Sequence, residues 1–104
     1  MDNTLFIRAL EANNESKSIR FQDGIGQTLN AEEIDTTLDG LVEINLGNTH
    51  KGLSPLQILK ELTLDRDERG GKLMITTWDK ESGSREEISS ICRQQDGSIL
   101  VILD

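Results

Sequence analysis

The stretch of sequence that decides the fold is LVEINLGNTHKGLSPLQILKELTL, residues 41–64. It begins with an alternation in which polar residues separate Val42, Ile44 and Leu46. A period of two is typical of a strand that buries one face. We therefore predict a half-buried strand over residues 41–46, followed by a polar loop.

The second half of this stretch carries the clearest helix signal in the chain. Ser54 is a favourable N-cap, Pro55 follows at the first helical position, and Gln57 stands three residues after the cap. Leucines and Ile58 then recur at helical spacing. This pattern predicts a helix that has one apolar face and ends near Leu64.

Downstream of the helix, three runs predict strands over residues 72–79, 85–93 and 98–103. They form a three-stranded meander, because short polar segments separate them and Asp-Gly at 96–97 is a strong hairpin signal. The last run, residues 99–103, is apolar on both faces. We expect it to be a central strand that is covered on both sides.

Upstream, residues 4–10 and 17–21 also alternate, and the turn-rich segment between them predicts an N-terminal β-hairpin. Residues 30–38 are compatible with one short helix that has Asn30 as its N-cap. The chain is therefore predicted to be a single compact α+β domain over residues 1–104. We expect about six mostly antiparallel strands, including the hairpin and the meander, with one to two helices packed on the sheet.

The composition limits the classes of function. The 104-residue chain has 19 acidic and 11 basic residues and a formal net charge of −8, which disfavours direct contact with nucleic-acid phosphates. It contains no apolar run long enough for a membrane span and no sequence typical of a signal peptide. A single cysteine fits a reducing compartment. We expect a cytoplasmic protein without membrane contact.

The negative charge is concentrated in residues 21–50, which contain no Lys or Arg and carry a formal charge of −6. A surface of one sign attracts partners of the opposite sign, so the expected partner is a protein with a basic surface. The same acids could instead serve only to keep a small protein soluble. The candidate binding residues are the six acids of this window: Asp23, Glu32, Glu33, Asp35, Asp39 and Glu43.

No combination of residues in the sequence predicts catalysis or metal binding. His50 is the only histidine and Cys92 the only thiol, and we expect Cys92 to be buried in its strand. Asp65 and Asp67 begin a pattern like a calcium loop, but Arg69 stands where a further ligand is required. We therefore predict a non-enzymatic protein with no catalytic residues, cofactor or metal.

The position of Trp78 has two alternatives. On the strand over 72–79 it shares a face with Met74 and Thr76, opposite Leu73. If the helix covers the Leu73 face, Trp78 lies either under the N-terminal hairpin or on the surface as an interaction patch. We expect burial, because a core with only three aromatic residues in the whole chain needs the volume of Trp78.

Two segments resemble known families. The element order from residue 41 onward, with LMITTWDKES at 73–82, resembles the uracil-DNA glycosylase inhibitor, an acidic phage protein that imitates DNA. Only Glu43 represents the acidic strand of that family, and the helix here carries Lys60. SPLQILK at 54–60 resembles the start of a helix in the TusA sulfur carriers, but Ser54 replaces their reactive cysteine, which implies no sulfur chemistry.

The residues alone leave the function open. The preferred interpretation is a non-enzymatic protein-binding module, such as an adaptor, an immunity-type protein or an inhibitor, that uses an acidic surface from residues 21–50. One alternative is a DNA-mimic inhibitor of a DNA-binding enzyme. A second is a small-ligand-binding or enzymatic domain whose pocket is assembled from distant parts of the chain. The oligomeric state stays open.

Overall fold

Six strands close into a barrel that is accompanied by two helices in the computed structural model, which describes residues 1–49 and 51–104. His50, which the sequence analysis considered as a possible catalytic residue, lies outside the described residues. The elements in chain order are α1 (Asn3–Ala12), β1 (Ile19–Gln22), β2 (Thr28–Asp35), β3 (Leu41–Gly47), α2 (Pro55–Arg69), β4 (Met74–Asp79), β5 (Ser84–Arg93) and β6 (Ile99–Leu103).

The strand pairing is mixed. The pairs β1–β2, β2–β3, β4–β5 and β5–β6 are antiparallel, whereas β3–β4 and β1–β6 are parallel. Since a tight turn cannot join parallel strands, α2 makes the connection between β3 and β4. The predicted α+β class and the C-terminal meander are confirmed. The expected open sheet is replaced by a barrel that the β1–β6 pair closes.

One hydrophobic core unites the inward-facing side chains of all six strands with the buried faces of both helices. The core residues are Phe6, Ile7, Leu10, Ile19, Phe21, Leu29, Ala31, Val42, Ile44, Leu46, Ile58, Leu62, Ile75, Ile88, Ile99, Val101 and Leu103.

The start of α2 is as predicted, and its end is later than predicted. Ser54 Oγ accepts a hydrogen bond from the Gln57 N–H at 3.2 Å, and Gln57 Oε1 accepts one from the Ser54 N–H at 2.8 Å, which completes a capping box. The helix continues past the predicted end at Leu64, because Arg69 Nε donates to Asp65 Oδ1 one turn earlier at 2.7 Å. The Arg69 guanidinium also donates to two backbone carbonyls around the β2–β3 connection, which ties the helix end to the barrel.

A helix, α1, takes the place of the first strand of the predicted N-terminal hairpin, and the hairpin prediction is wrong. Asp2 Oδ1 caps this helix by accepting a hydrogen bond from the Leu5 N–H at 2.9 Å. Apolar residues occupy most positions of the segment, so both a helical and an alternating pattern fit it, and packing against the core decides between them. The buried face consists of Asn3, Phe6, Ile7 and Leu10.

Residues 28–35 form strand β2, so the predicted short helix over 30–38 is wrong. β2 pairs with β1 on one side and with β3 on the other, and the side chains of Leu29 and Ala31 are buried in the barrel. Local helix signals are overridden here, because the extended chain supplies backbone hydrogen bonds to both neighbouring strands.

Strand β6 is central, as predicted, since it pairs with both β5 and β1. Only one of its faces is fully buried, however, because Leu100 and Ile102 lie half-buried on the outside of the barrel. The predicted burial of Cys92 is also wrong, since this thiol is exposed. A β-bulge between Ile88 and Ser90 reverses the alternation of β5, which turns Cys92 outward.

Candidate functional site: the outer face of β2 to β5

Two rows of aligned side chains cross the outer surface of strands β2, β3, β4 and β5. Residues paired across neighbouring strands present their side chains on the same face. The intervening residues, such as Ile44 and Ile75, are buried in the core, so the aligned residues face outward. The first row is Asp35, Glu43, Thr76 and Glu87, and the second is Glu33, Asn45, Trp78 and Arg85. We call these eight residues the outer-face patch.

Arg85 organises the centre of the outer-face patch. Its Nη2 and Nε atoms lie 2.7 Å and 2.8 Å from Glu43 Oε2, and its guanidinium carbon lies 5.5 Å from the centre of the Trp78 ring. This arrangement combines an ion pair with a cation–π contact. Because Arg85 covers the carboxylate, Glu43 is only 7% exposed although it points away from the core.

Trp78 is half-buried on the outer face and does not belong to the core, contrary to the expectation from the sequence. The segment that was expected to cover it as a hairpin strand forms α1 instead. Trp78 therefore lies on the surface, as in the second alternative from the sequence.

Two polar atoms in the patch have no hydrogen-bond partner among the described residues: Asn45 Oδ1 and Thr76 Oγ1. Thr76 is only 9% exposed, so its hydroxyl receives little solvation from bulk water. Buried polar atoms are nearly always hydrogen-bonded in folded proteins. These two atoms are therefore unsatisfied groups within the patch, and neither is accessible from its surface.

The patch is negatively charged overall, since four carboxylates accompany one guanidinium. Asp35 stays ionised at neutral pH, because the Thr37 hydroxyl at 2.6 Å and the Thr37 N–H at 2.9 Å donate to its Oδ1 and lower its pKa. Glu33 and Glu87 are exposed at the edge of the patch. The outer-face patch therefore has a partly covered aromatic centre and an acidic rim.

The structure brings together three of the six acids predicted from the sequence, namely Glu33, Asp35 and Glu43. Asp35 and Glu43 are direct cross-strand neighbours, and Glu33 pairs with Asn45 in the adjacent row. The sequence window thus contributes one side of the patch.

The other three predicted acids lie elsewhere. Asp23 Oδ1 accepts hydrogen bonds from the Ile25 and Gln27 N–H groups and so shapes the β1–β2 turn. Glu32 occupies the bulge of β2, where its carboxylate lies 3.3 Å from Lys80 Nζ. Asp39 is exposed in the connection between β2 and β3. The window is therefore divided among several surfaces.

A separate group of acids surrounds Glu86, which faces inward from β5. Burial raises the pKa of Glu86, and the negative charges of Asp23, Asp79 and Asp104 raise it further, while the nearby Gly24 N–H acts in the opposite direction. Glu86 Oε2 is buried and has no hydrogen-bond partner among the described residues. This carboxyl is consequently more easily protonated than an exposed one.

The sequence did not point to four members of the patch, namely Asn45, Thr76, Arg85 and Glu87, and it favoured burial for Trp78 over the surface alternative. The alternation along β4 placed Thr76 and Trp78 on one face of that strand, and the alternation along β3 placed Glu43 and Asn45 on one face of the other. The parallel pairing of β3 with β4 makes these two faces continuous. No local sequence signal reports that pairing, because it depends on contacts between distant segments.

No protein-family model matches the chain, and neither a curated protein nor a solved structure shows significant similarity to it. Within residues 1–49 and 51–104, no group of three or more His, Cys, Asp or Glu side chains is arranged to hold a metal ion. As far as the described part of the chain is concerned, neither helix combines the length and apolar character that crossing a membrane requires. Functional inference therefore depends on the chemistry of the surface.

Proposed function

We propose that this protein is a non-enzymatic protein-binding module whose outer-face patch binds a basic surface of its partner. The observation that carries the proposal is the position of Trp78 and Arg85 at the centre of an outward-facing, acid-rimmed strand surface. Tryptophan and arginine are enriched among the residues that dominate the binding energy of protein interfaces. The acidic rim supplies complementarity to a basic partner.

The centre of the patch is organised before any partner binds. The ion pair between Arg85 and Glu43 and the stacking of Arg85 on Trp78 restrict these side chains, so less conformational entropy is lost on binding. Glu33 and Glu87 are exposed beside this centre, and their carboxylates can accept hydrogen bonds from the basic side chains of a partner.

The two alternatives from the sequence remain predictions. A DNA mimic would use the same acids to occupy the nucleic-acid site of a DNA-binding enzyme, and duplex DNA would then compete for the partner. An enzymatic or small-ligand domain would need a reactive group or a pocket as its centre. The patch supports neither alternative as directly as it supports contact with a protein, because its central features are an aromatic ring and a paired guanidinium.

Trp78 provides a built-in reporter for the experiment. It is the only tryptophan, and the chain contains no tyrosine, so the intrinsic fluorescence excited above 290 nm arises from Trp78. The protein is immobilised and used to capture proteins from a lysate of its source cells at low and high salt. A captured protein is then purified and titrated against the free chain while the Trp78 emission is followed.

Two variants with the same change in charge make this test specific. Glu33→Gln/Glu87→Gln removes two exposed acids from the rim, and Glu11→Gln/Glu15→Gln removes two exposed acids from α1 and the turn after it. We expect the rim variant to lower the affinity about 3- to 10-fold, and the control to leave it unchanged. Binding should also weaken at high salt and change the Trp78 emission.

Equal affinity of both variants, or binding without any change in Trp78 emission, would contradict the proposal. The capture of no protein at either salt concentration would contradict it as well. Displacement of the partner by duplex DNA would support the DNA-mimic alternative in place of the proposal.

A further inference from the structure

A concave surface, separate from the outer-face patch, lies where β1 and β2 meet the segment that precedes α2. This depression has a volume of about 350 Å³. Three basic side chains line it, namely Lys17, Arg20 and Lys51. The described lining contains no carboxylate. In a chain with 19 acidic and 11 basic residues, a concavity whose charged lining residues are all basic is a clear departure from the average surface.

None of the three cations forms an ion pair with a described residue, and Lys17 also borders a neighbouring depression that contains Glu15 and Asp96. The ion pairs between described residues join Asp65 to Arg69, Glu32 to Lys80 and Glu43 to Arg85, and none involves this depression. Like charges placed around one concavity repel one another and create a positive potential. The N-terminus of α2, whose cap residue also lines the depression, adds the positive end of the helix dipole.

Contacts with the barrel hold the wall of the depression in place. The Leu53 N–H donates to the Ala31 carbonyl at 2.7 Å. Asn30 Nδ2 donates to the Thr49 carbonyl. β2 therefore holds the backbone at Thr49 and at Leu53.

A second depression of about 180 Å³ adjoins the first and shares Arg20 and Asn30 with it. Its other side chains are uncharged and polar: Thr28, Asn48 and Thr49. Hydroxyl and amide groups of this kind bind the hydroxyl groups of a ligand by hydrogen bonds. The two depressions together offer a cationic part and a neutral polar part.

We propose that this basic depression binds a small phosphate ester with a hydroxylated organic part. The phosphate lies among Lys17, Arg20 and Lys51, where the guanidinium can contact two oxygens and the ammonium groups supply point charges. The hydroxylated part extends towards Thr28 and Asn48. The site shares no residue with the outer-face patch, so a negative result for one proposal does not contradict the other.

The test is a titration of the ¹⁵N-labelled full chain, followed by NMR, with ribose 5-phosphate, inorganic phosphate and ribose as separate probes. The site variant is Lys17→Gln/Lys51→Gln. The matched control is Lys60→Gln/Lys72→Gln, in which two exposed lysines outside the depression undergo the same change. The spectra of the free variants show whether each one is folded.

We expect saturable shifts of amide signals around the depression, including those of Ser18 and Gly52, with ribose 5-phosphate. Inorganic phosphate should bind more weakly at the same place, and ribose should cause no shift. The site variant should lose about tenfold in affinity for ribose 5-phosphate, since two charge-assisted contacts are removed, and the control should match the original chain.

Three results would overturn the proposal. The first is the absence of saturable shifts with either phosphate probe at millimolar concentration. The second is an equal loss of affinity in the site variant and the control. The third is binding of a polyanion such as heparin without binding of ribose 5-phosphate, which would show a general electrostatic surface and no site for a small ester.

Discussion

Replacing Phe6 by alanine, in comparison with Leu5→Ala, tests the most consequential difference between the sequence pattern and the fold. In α1, Phe6 is 0% exposed and Leu5 is 50% exposed. In the strand first predicted for residues 4–10, Leu5 would share a face with Ile7, and Phe6 would point the opposite way. If residues 4–10 are helical, Phe6→Ala should destabilise the protein more than Leu5→Ala does. If they form the predicted strand, Leu5→Ala should be the more destabilising substitution.

The magnitudes follow from burial. Truncation of a fully buried phenylalanine costs about 3–5 kcal/mol of the free energy of unfolding, because transfer energy is lost and a cavity remains. Leu5 already has half of its surface in water. Its truncation should therefore cost about 1 kcal/mol or less. A domain of this size has a total stability of about 5–15 kcal/mol, so Phe6→Ala removes a large part of it.

Urea unfolding followed by Trp78 fluorescence measures both effects. With a slope of about 1.5 kcal/mol per M, a loss of about 4 kcal/mol lowers the midpoint by about 2.5 M, and a loss of about 1 kcal/mol lowers it by less than about 1 M. If Phe6→Ala is too unstable to purify, Phe6→Leu keeps most of the volume and should still lower the midpoint more than Leu5→Ala does.

A Leu5→Ala variant as destabilised as Phe6→Ala, or more so, would refute the reasoning. It would place Leu5 inside the core and return residues 4–10 to the alternating pattern of a strand. A similar and small effect of both substitutions would show that this segment does not contribute to the core at all.

Three further predictions concern single positions. Burial, and then the charge of Asp23, raise the folded-state pKa of Glu86 above its ordinary value of 4.5. In the pH window above 4.5 the folded protein therefore binds more protons than the unfolded chain does. The free energy of unfolding consequently falls as the pH rises through this window. Glu86→Gln should therefore raise the urea midpoint at neutral pH and flatten its decline in a series from about pH 4 to pH 8, and an unchanged slope would contradict this. Thr76→Val replaces a buried, unpaired hydroxyl by a methyl group and should leave thermal stability unchanged or increase it, whereas a loss above about 1 kcal/mol would show that the hydroxyl is satisfied. In a melting assay, Gly52→Ala should destabilise the protein by about 1–3 kcal/mol, because the new Cβ would lie 2.6 Å from a β2 side chain and 3.0 Å from a β2 carbonyl. The control Gly24→Ala should be nearly neutral in the same assay, because Gly24 has open space around it.

Elements with strong local signals were predictable from the sequence. The capping box at Ser54 and Gln57 fixed the start of α2, because those side chains bond the backbone within the same turn. The alternation of β3 and the Asp-Gly turn before β6 likewise describe local geometry. By contrast, the five residues beyond the predicted helix end depend on contacts that Arg69 makes with a distant part of the chain.

The candidate site was predictable only in part. The charge window pointed to Glu33, Asp35 and Glu43, but it gave no reason to separate them from Glu32, which a bulge and Lys80 remove from the patch. Arg85 was out of reach, and burial was wrongly preferred for Trp78, because the positions of both residues depend on which strands are neighbours. A one-dimensional charge count does not contain that information.

By itself, the sequence determined a small acidic α+β chain with a capped central helix, a C-terminal meander and an acid-rich segment without Lys or Arg. These properties follow from composition, periodicity and capping, which act over a few residues. Only the tertiary structure decided that the first segment is a helix, that residues 28–35 form a strand and that the sheet closes through parallel pairs. The reason is that burial in a shared core and backbone pairing between distant strands outweigh local preferences that differ by less than about 1 kcal/mol per residue.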